Sequence, residues 1–208
     1  MTYEKPWQQE FTQLLKELEA TLGGQMIRQL STPKPDSEWG ASLEVGASYF
    51  NYDRFRCELE GVRVEVEISH YALLGDSALV EGDYEEFLVV SAQIEPVGVF
   101  RVHPKGFFDR IRKALRFSGT FETGDKEFDQ MFCLIGPDKD AEPLVKRKDV
   151  QTSIKALMPF EFLQTHPGGI RCSELIADEA HLACARVAEK LRIVASLAGQ
   201  VREQKSNR

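Results

Sequence analysis

This chain of 208 residues has little cysteine, and its cysteines are not arranged as metal ligands. The four are Cys57, Cys133, Cys172 and Cys184, and no two of them form a CxxC motif. Zinc sites built from cysteine and histidine need ligands at short, regular spacings, so the sequence predicts none. We expect four reduced thiols, as is usual in the cytoplasm.

Long apolar runs are also lacking. No stretch approaches the roughly 20 apolar residues that cross a bilayer. The start, MTYEKPWQQEF, has neither the basic region nor the apolar region of a signal peptide. These absences predict a cytoplasmic protein without a transmembrane segment.

The motifs of common enzyme classes are missing. The glycine pairs at 23–24 and 168–169 stand outside the phosphate-binding patterns GxGxxG and GxxxxGK[ST]. No GxSxG motif occurs, and the four histidines form neither HExxH nor HxH. The sequence therefore predicts no catalytic residue and no cofactor.

The charge of the chain is unevenly distributed. Its net value is −7, but residues 1–100 carry 7 Lys and Arg against 18 Asp and Glu, whereas residues 101–208 carry 19 against 15. A nucleic-acid-binding domain is usually basic as a whole, so this pattern argues against a DNA or RNA partner. It leaves room for a local anion-binding surface in the second half.

The first apolar pattern has the period of a helix. Its members are Trp7, Phe11, Leu14, Leu15, Leu18 and Leu22. This spacing predicts an amphipathic helix that ends at the glycine pair, within an N-terminal unit covering residues 1–30.

The period then changes to two. The segment VRVEVEIS, residues 62–69, alternates apolar and charged side chains, and the preceding RFRCELE does the same. Glu60 and Gly61 fall between them, which predicts a tight hairpin. Because one face is apolar and the other charged, we expect an antiparallel sheet with one wet face.

The rest of the chain continues in alternating segments. It predicts strands at 86–94 and 98–102, a helix at 105–117, a strand pair at 119–123 and 127–135, a helix at 149–157, a hairpin of 160–165 with 170–175, and a long helix at 177–198. This order is typical of an α+β fold with one or two antiparallel sheets, helices packed on one face and a long C-terminal helix.

The domain organisation follows from the same pattern. A body covers residues 41–200 and divides into two similar halves, 41–117 and 118–200, since each has a meander of strands followed by a helix. Residues 201–208 are polar and are expected to form a flexible tail.

The second half resembles a pattern in uncharacterised bacterial proteins, in which a Phe-Asp pair opens a strand and an apolar helix follows an acidic loop. The matching positions are Phe128, Asp129, Phe132, Leu144, Val150, Ile154 and Leu157. The resemblance covers about 90 residues. It implies a bacterial domain of unknown function and gives no catalytic residues.

The segment 101–116, RVHPKGFFDRIRKALR, carries six Lys and Arg against one acid. As a helix it would present a basic face, so we predict that Lys105, Arg110, Arg112 and Arg116 bind an anion or an acidic partner. The alternative is that this basic stretch balances the acidic first half, within the fold or across a dimer interface.

Three carboxylates alternate at Asp125, Glu127 and Asp129. On a strand they would share one face and could bind a hard cation such as Ca²⁺ or Mg²⁺, while Phe128 would point into the core. The alternative is a solvated strand face, in which Gly124 and Asp125 form a turn.

These observations favour a non-catalytic binding or interaction module with a charge-polarised surface, whose partner is a protein or an anionic ligand. We expect the apolar side of the last helix to pack in the core. The alternative is that this helix forms the interface of a homodimer. A second hypothesis is a small-molecule or enzymatic pocket between a helix and a curved sheet. Its lining would be Phe87, Phe100, Phe132 and Phe162. A third is a metal-assisted hydrolase built on the three carboxylates.

Overall fold

The computed structural model describes residues 7–27, 53–72, 84–94, 98–106, 120–136, 139–166 and 168–206. The helices in these ranges are α1 (Trp7–Leu22), α2 (Lys126–Met131), α3 (Glu142–Val145), α4 (Lys148–Ala156), a 3₁₀ helix (Glu179–Leu182) and α5 (Cys184–Ser206). The strands are β1 (Gln25–Ile27), β2 (Arg54–Leu59), β3 (Val62–Ala72), β4 (Tyr84–Gln93), β5 (Arg101–Pro104), β6 (Thr120–Phe121), β7 (Phe132–Ile135), β8 (Phe162–His166) and β9 (Gly169–Leu175).

Within the described residues all nine strands join one antiparallel sheet. Its order is β1-β2-β3-β4-β9-β8-β5-β7-β6. The predicted α+β fold with an antiparallel sheet is confirmed, and the sheet is a single one. It also combines strands from both predicted halves, because β4 pairs with β9, and β5 pairs with β7 and β8.

The predicted hairpin between β2 and β3 is confirmed. Leu59 pairs with Val62, so Glu60 and Gly61 form a two-residue turn. Both have positive φ, 53° and 73°, which is the geometry of a type I′ turn. The turn fixes the register, and this register places the valines of β3 on one face.

One face of the sheet carries the main core. Helix α5 packs on β3, β4 and β9, while α1 packs on β2 and on α5. Both helices present a row of fully buried apolar side chains to the strands. The core residues without exposed surface include Leu15 and Leu18 of α1, Val187, Leu191 and Val194 of α5, and Phe55, Val64 and Val66 of the strands.

The second face of the sheet is not the wet face that the sequence predicts. Phe87 and Val89 point away from the helices, yet they are 3% and 1% exposed. Glu65, Arg171 and Ser173 on the same face are also buried. The alternation of β3 predicts the faces correctly, but the unbroken apolar run of β4 marks a strand buried on both sides.

Two other predictions need correction. The predicted strand 127–135 begins with α2, so only its last four residues form β7. Helix α5 continues to Ser206, and Val201, which the sequence assigns to a tail, is 1% exposed. The predicted helix 105–117 lies almost entirely outside the described residues.

None of the helices in the described ranges is both long enough and apolar enough to cross a bilayer.

Candidate functional site

Of the four predicted basic site residues, only Lys105 lies in the described part of the chain. It is exposed and follows β5, where its backbone N–H donates to the Met131 carbonyl at 2.8 Å. Arg110, Arg112 and Arg116 lie outside the described residues. The predicted basic surface therefore stays a prediction at those three positions.

The predicted metal-binding carboxylates do not share a strand face. Asp125 is the N-cap of α2, and Glu127 and Asp129 lie in its first turn. The prediction was wrong because the glycine turn leads into a capped helix, and an Asp two or three residues ahead of free N–H groups favours that start. Within the described ranges no group of three or more His, Cys, Asp or Glu is arranged to hold a metal ion.

Each of these carboxylates has a separate partner. Lys148 donates to Asp125, which also accepts from the backbone N–H of Phe128 and of Glu127, so the pKa of Asp125 falls to about 2. Glu127 pairs with Lys155 at 2.8 Å. Asp129 accepts from the Thr123 hydroxyl at 2.8 Å and the Thr123 N–H at 3.0 Å. Phe128 is 1% exposed, so the prediction that it faces the core is confirmed.

The four aromatic residues of the pocket hypothesis divide between the two faces of the sheet. Phe100 and Phe132 belong to the main core under the helices. Phe87 and Phe162 lie on the second face, where their ring centroids are 6.5 Å apart. Because the four aromatic residues lie on opposite faces, they cannot line one common pocket between the helices and the sheet.

Seven polar side chains form one row across this second face. Residues directly opposite each other on paired strands share a face, so the register defines the row. From β1 to β5 its members are Gln25, Arg56, Glu65, Ser91, Arg171, Gln164 and Arg101. We call these seven residues the polar row.

The two ends of the polar row differ in charge. At the β2–β3 end, Glu65 accepts from Arg56 Nε at 2.6 Å and lies 3.5 Å from Arg54 Nη1. At the β9–β8–β5 end, Arg171 and Arg101 flank the neutral Gln164. Arg171 is 7% exposed, and its Nη2 donates to Ser69 Oγ at 3.4 Å, so its guanidinium extends from β9 across β4 toward β3. The β9–β8–β5 end of the row thus contains two arginines and one neutral amide.

Two histidines lie at this end of the polar row, and both have lowered pKa values, mainly because they are buried. Burial, and then the charge of Arg171, lower the pKa of His166 to about 4. Its Nδ1 accepts from the Gly168 N–H at 3.0 Å, which requires a neutral ring. Burial also lowers the pKa of His103 to about 4; the Glu161 carbonyl opposes this shift and Arg101 adds to it. Both imidazoles are neutral at pH 7, so the arginines supply the charge.

A second polar cluster lies between β9 and α5 on the core side. Glu174 is 3% exposed and pairs with Lys190, which is 4% exposed, and with Arg186. His181 Nε2 is 3.6 Å from the same carboxylate. Lys190 also donates to the Pro159 carbonyl. These contacts fix α5 on the sheet.

Two of the thiols, those of Cys57 and Cys172, are poor nucleophiles. Burial raises the pKa of Cys172 to about 12 and that of Cys57 to about 11. A nucleophilic cysteine needs a lowered pKa to be ionised near neutrality, and these two shift the other way. Neither supports a covalent reaction.

Neither polar cluster is among the predicted sites, although the sequence contains a signal for the cluster around Glu174. Glu174 follows Ile170 and Cys172 at a position that alternation assigns to the apolar face, so a charge there indicates a buried partner. The polar row depends on pairing between strands far apart in sequence. No pattern along the chain gives that pairing.

No family model, curated protein or solved structure matches this chain.

Proposed function

We propose that the protein is a non-catalytic binding module that takes an anionic ligand on the second face of its sheet. The observation that carries this proposal is the pair Arg171 and Arg101 on either side of Gln164 in the polar row. Guanidinium groups present several N–H donors in a fixed plane, which suits carboxylate and phosphate oxygens. Gln164 adds a neutral amide between them.

The charge distribution supports the same site. Arg101, Gln164 and Arg171 all belong to the basic second half of the chain, as does the exposed Lys105 after β5. Positive charge that is partly removed from water attracts anions more strongly than the same charge on an open surface. Arg101 and Gln164 are partly exposed, so a ligand reaches this end from solvent.

The chemistry of the site favours binding over catalysis. The two histidines beside the arginines are neutral and stay so well below pH 7, which makes them poor proton donors. The pKa values of the Cys57 and Cys172 thiols lie too high for attack.

The cytoplasm of a bacterium is the cellular setting that we propose. Reduced thiols at all four cysteines support the cytoplasm, since an oxidising compartment would favour disulfides. The bacterial origin depends only on the resemblance of the second half and is proposed on that ground.

Thermal unfolding with inorganic phosphate and sulfate as probes tests the proposal, with NaCl at equal ionic strength as the reference. A site occupied to ten times its Kd stabilises the folded state by about 1.4 kcal/mol. We expect a saturable rise of Tm that Arg171→Gln and Arg101→Gln reduce. Arg63→Gln is the matched control, because Arg63 is an exposed arginine on the same face that donates to Gln93.

An NMR titration gives a second measurement at the same site. A bound anion would offset the charge of Arg171, so the pKa of His166 should rise as phosphate is added. A Tm rise no larger than that with NaCl, or one that is equal in Arg171→Gln and wild type, would overturn the proposal. In that case a protein partner becomes the function to seek by pull-down.

A further inference from the structure

We infer that the groove between α1 and the 3₁₀ helix binds a linear aliphatic polyamine. The groove lies in the helical layer, where α1 packs against the 3₁₀ helix, so it is separate from the polar row and does not depend on the proposed function. Its volume is about 500 Å³. Sites for small molecules usually have volumes in this range.

The groove is acidic. Glu10 and Glu17 of α1 line one side, and Glu179 of the 3₁₀ helix lines the other. Among the described residues that line it there is no Lys, Arg or His. Acidic side chains in a concave site raise the local concentration of cations. Charge complementarity therefore favours a positively charged ligand.

The carboxylate of Glu10 lacks compensation on one of its oxygens. Its Oε2 is buried and has no hydrogen-bond partner in the described part of the chain, while the side chain as a whole is partly exposed. Glu17 differs, because its Oε1 accepts from Gln13 Nε2 at 2.9 Å. A carboxylate oxygen that is removed from water without a partner is costly, and an ammonium group beside Glu10 would compensate its charge.

The spacing along α1 favours a linear ligand with a charge at each end. Glu10 and Glu17 lie on one face of the helix, about 10.5 Å apart along its axis. Leu14 lies between them on that face, and Leu182 and Ala183 are across the groove. Methylene groups between two ammonium groups would contact these apolar side chains, and each end would meet a carboxylate. Because the groove spans only about two turns of α1, it suits a small ligand better than a docked helix.

Calorimetry with spermidine as the probe tests the inference, with butylamine and MgCl₂ at equal ionic strength as comparisons. We expect spermidine to bind about tenfold tighter than butylamine, because the monoamine leaves one of the two carboxylates without a cation. Glu10→Gln and Glu17→Gln should each weaken the binding of spermidine about fivefold. The affinity of the wild type should fall as NaCl is added, since salt screens charges near the surface.

Glu19→Gln is the matched control, because Glu19 is an exposed glutamate of α1 that does not line the groove. It makes the same change in net charge and should leave the affinity for spermidine unchanged. An equal loss in Glu19→Gln and Glu10→Gln would overturn the inference, since it would indicate general attraction to an acidic protein. Absence of spermidine binding, or equal affinities for spermidine, butylamine and Mg²⁺, would also overturn it. Tighter binding of trilysine than of spermidine would replace the polyamine with a basic peptide.

Discussion

Lys190 of α5 forms an ion pair with Glu174 of β9, and the two side chains are only 6% and 4% exposed. Arg186, one turn earlier on α5, contacts the same carboxylate. Removing a charge from water is costly, so such a pair is stable only while its members compensate each other. The final helix is therefore tied to the sheet by charge as well as by its apolar stripe.

This arrangement predicts an asymmetric double-mutant cycle. Glu174→Gln leaves Lys190 buried without its counter-charge, so we expect the free energy of unfolding to fall by about 3 kcal/mol. Lys190→Met should cost less, because Arg186 still compensates Glu174. The double variant should be more stable than Glu174→Gln alone, as measured by urea unfolding.

The control for this cycle is Glu189→Gln on the same helix. Glu189 pairs with Arg192, but the two side chains are 63% and 51% exposed. Exposed pairs contribute little, so this change should stay within about 0.5 kcal/mol. A similarly small loss for Glu174→Gln would show that the cluster is not buried in solution.

The pKa of His103 predicts a loss of stability in mild acid. Its folded value is about 4 because of burial, whereas the unfolded chain has the ordinary value of about 6.5. Between these values the unfolded state binds a proton that the folded state does not. The contribution of His103 to the free energy of unfolding is complete above about pH 6.5 and falls by about 1.4 kcal/mol per pH unit toward pH 4.

Urea unfolding of wild type and His103→Gln at pH 7.5 and pH 5.0 measures this contribution of His103 to the free energy of unfolding. The wild type should lose about 2 kcal/mol more than the variant over that interval. Carboxylates with lowered pKa values, such as Asp125 and Asp149, lose their contribution only at lower pH. Parallel pH dependence in the two proteins would contradict the assignment to His103.

Because β9 approaches β4 closely, we predict that a side chain added at Gly169 lowers the stability of the protein. Its φ is +151°, and an added Cβ would lie 2.0 Å from the Ala92 carbonyl oxygen. Gly169→Ala must therefore move a backbone that carries the polar row, and we expect a loss of about 2 kcal/mol or more. Circular dichroism melts would detect it as a lower Tm.

Gly199→Ala is the matched comparison. Gly199 lies inside α5, and nothing stands within 4 Å of its added Cβ. Alanine has the higher helix propensity, so this substitution should stabilise the protein by about 0.5–1 kcal/mol. A stable Gly169→Ala protein would mean that the β4–β9 contact relaxes without cost.

The sequence predicts the parts of this fold that depend on neighbours along the chain. The bounds of α1 and the turn at Glu60 and Gly61 follow from local periodicity and turn chemistry, and both are confirmed. The order of the strands does not follow from such rules. β4 pairs with β9, about eighty residues later, and no local pattern encodes that contact.

The candidate site could be predicted even less well, because it is a product of strand order. Arg101, Gln164 and Arg171 come from three strands that only the sheet brings together. In the acidic segment around Asp125, by contrast, a local pattern leads to the wrong secondary structure. Its alternation is local and suggested a strand, but side-chain hydrogen bonds to backbone N–H groups favour the capped helix α2.

Asp129 provides a test of whether the acidic segment begins a capped helix or forms a metal-binding strand. It accepts hydrogen bonds from the Thr123 hydroxyl, the Thr123 N–H and the Gly124 N–H. Asp129→Ala removes the acceptor for all three donors, so we expect the free energy of unfolding to fall by about 1–3 kcal/mol. Because the carboxylate is held by backbone and hydroxyl donors, the loss should be the same with EDTA, Ca²⁺ or Mg²⁺ in the buffer. A wild-type Tm that rises with either cation, and stops rising in Asp129→Ala, would restore the metal site that the alternation of carboxylates suggested.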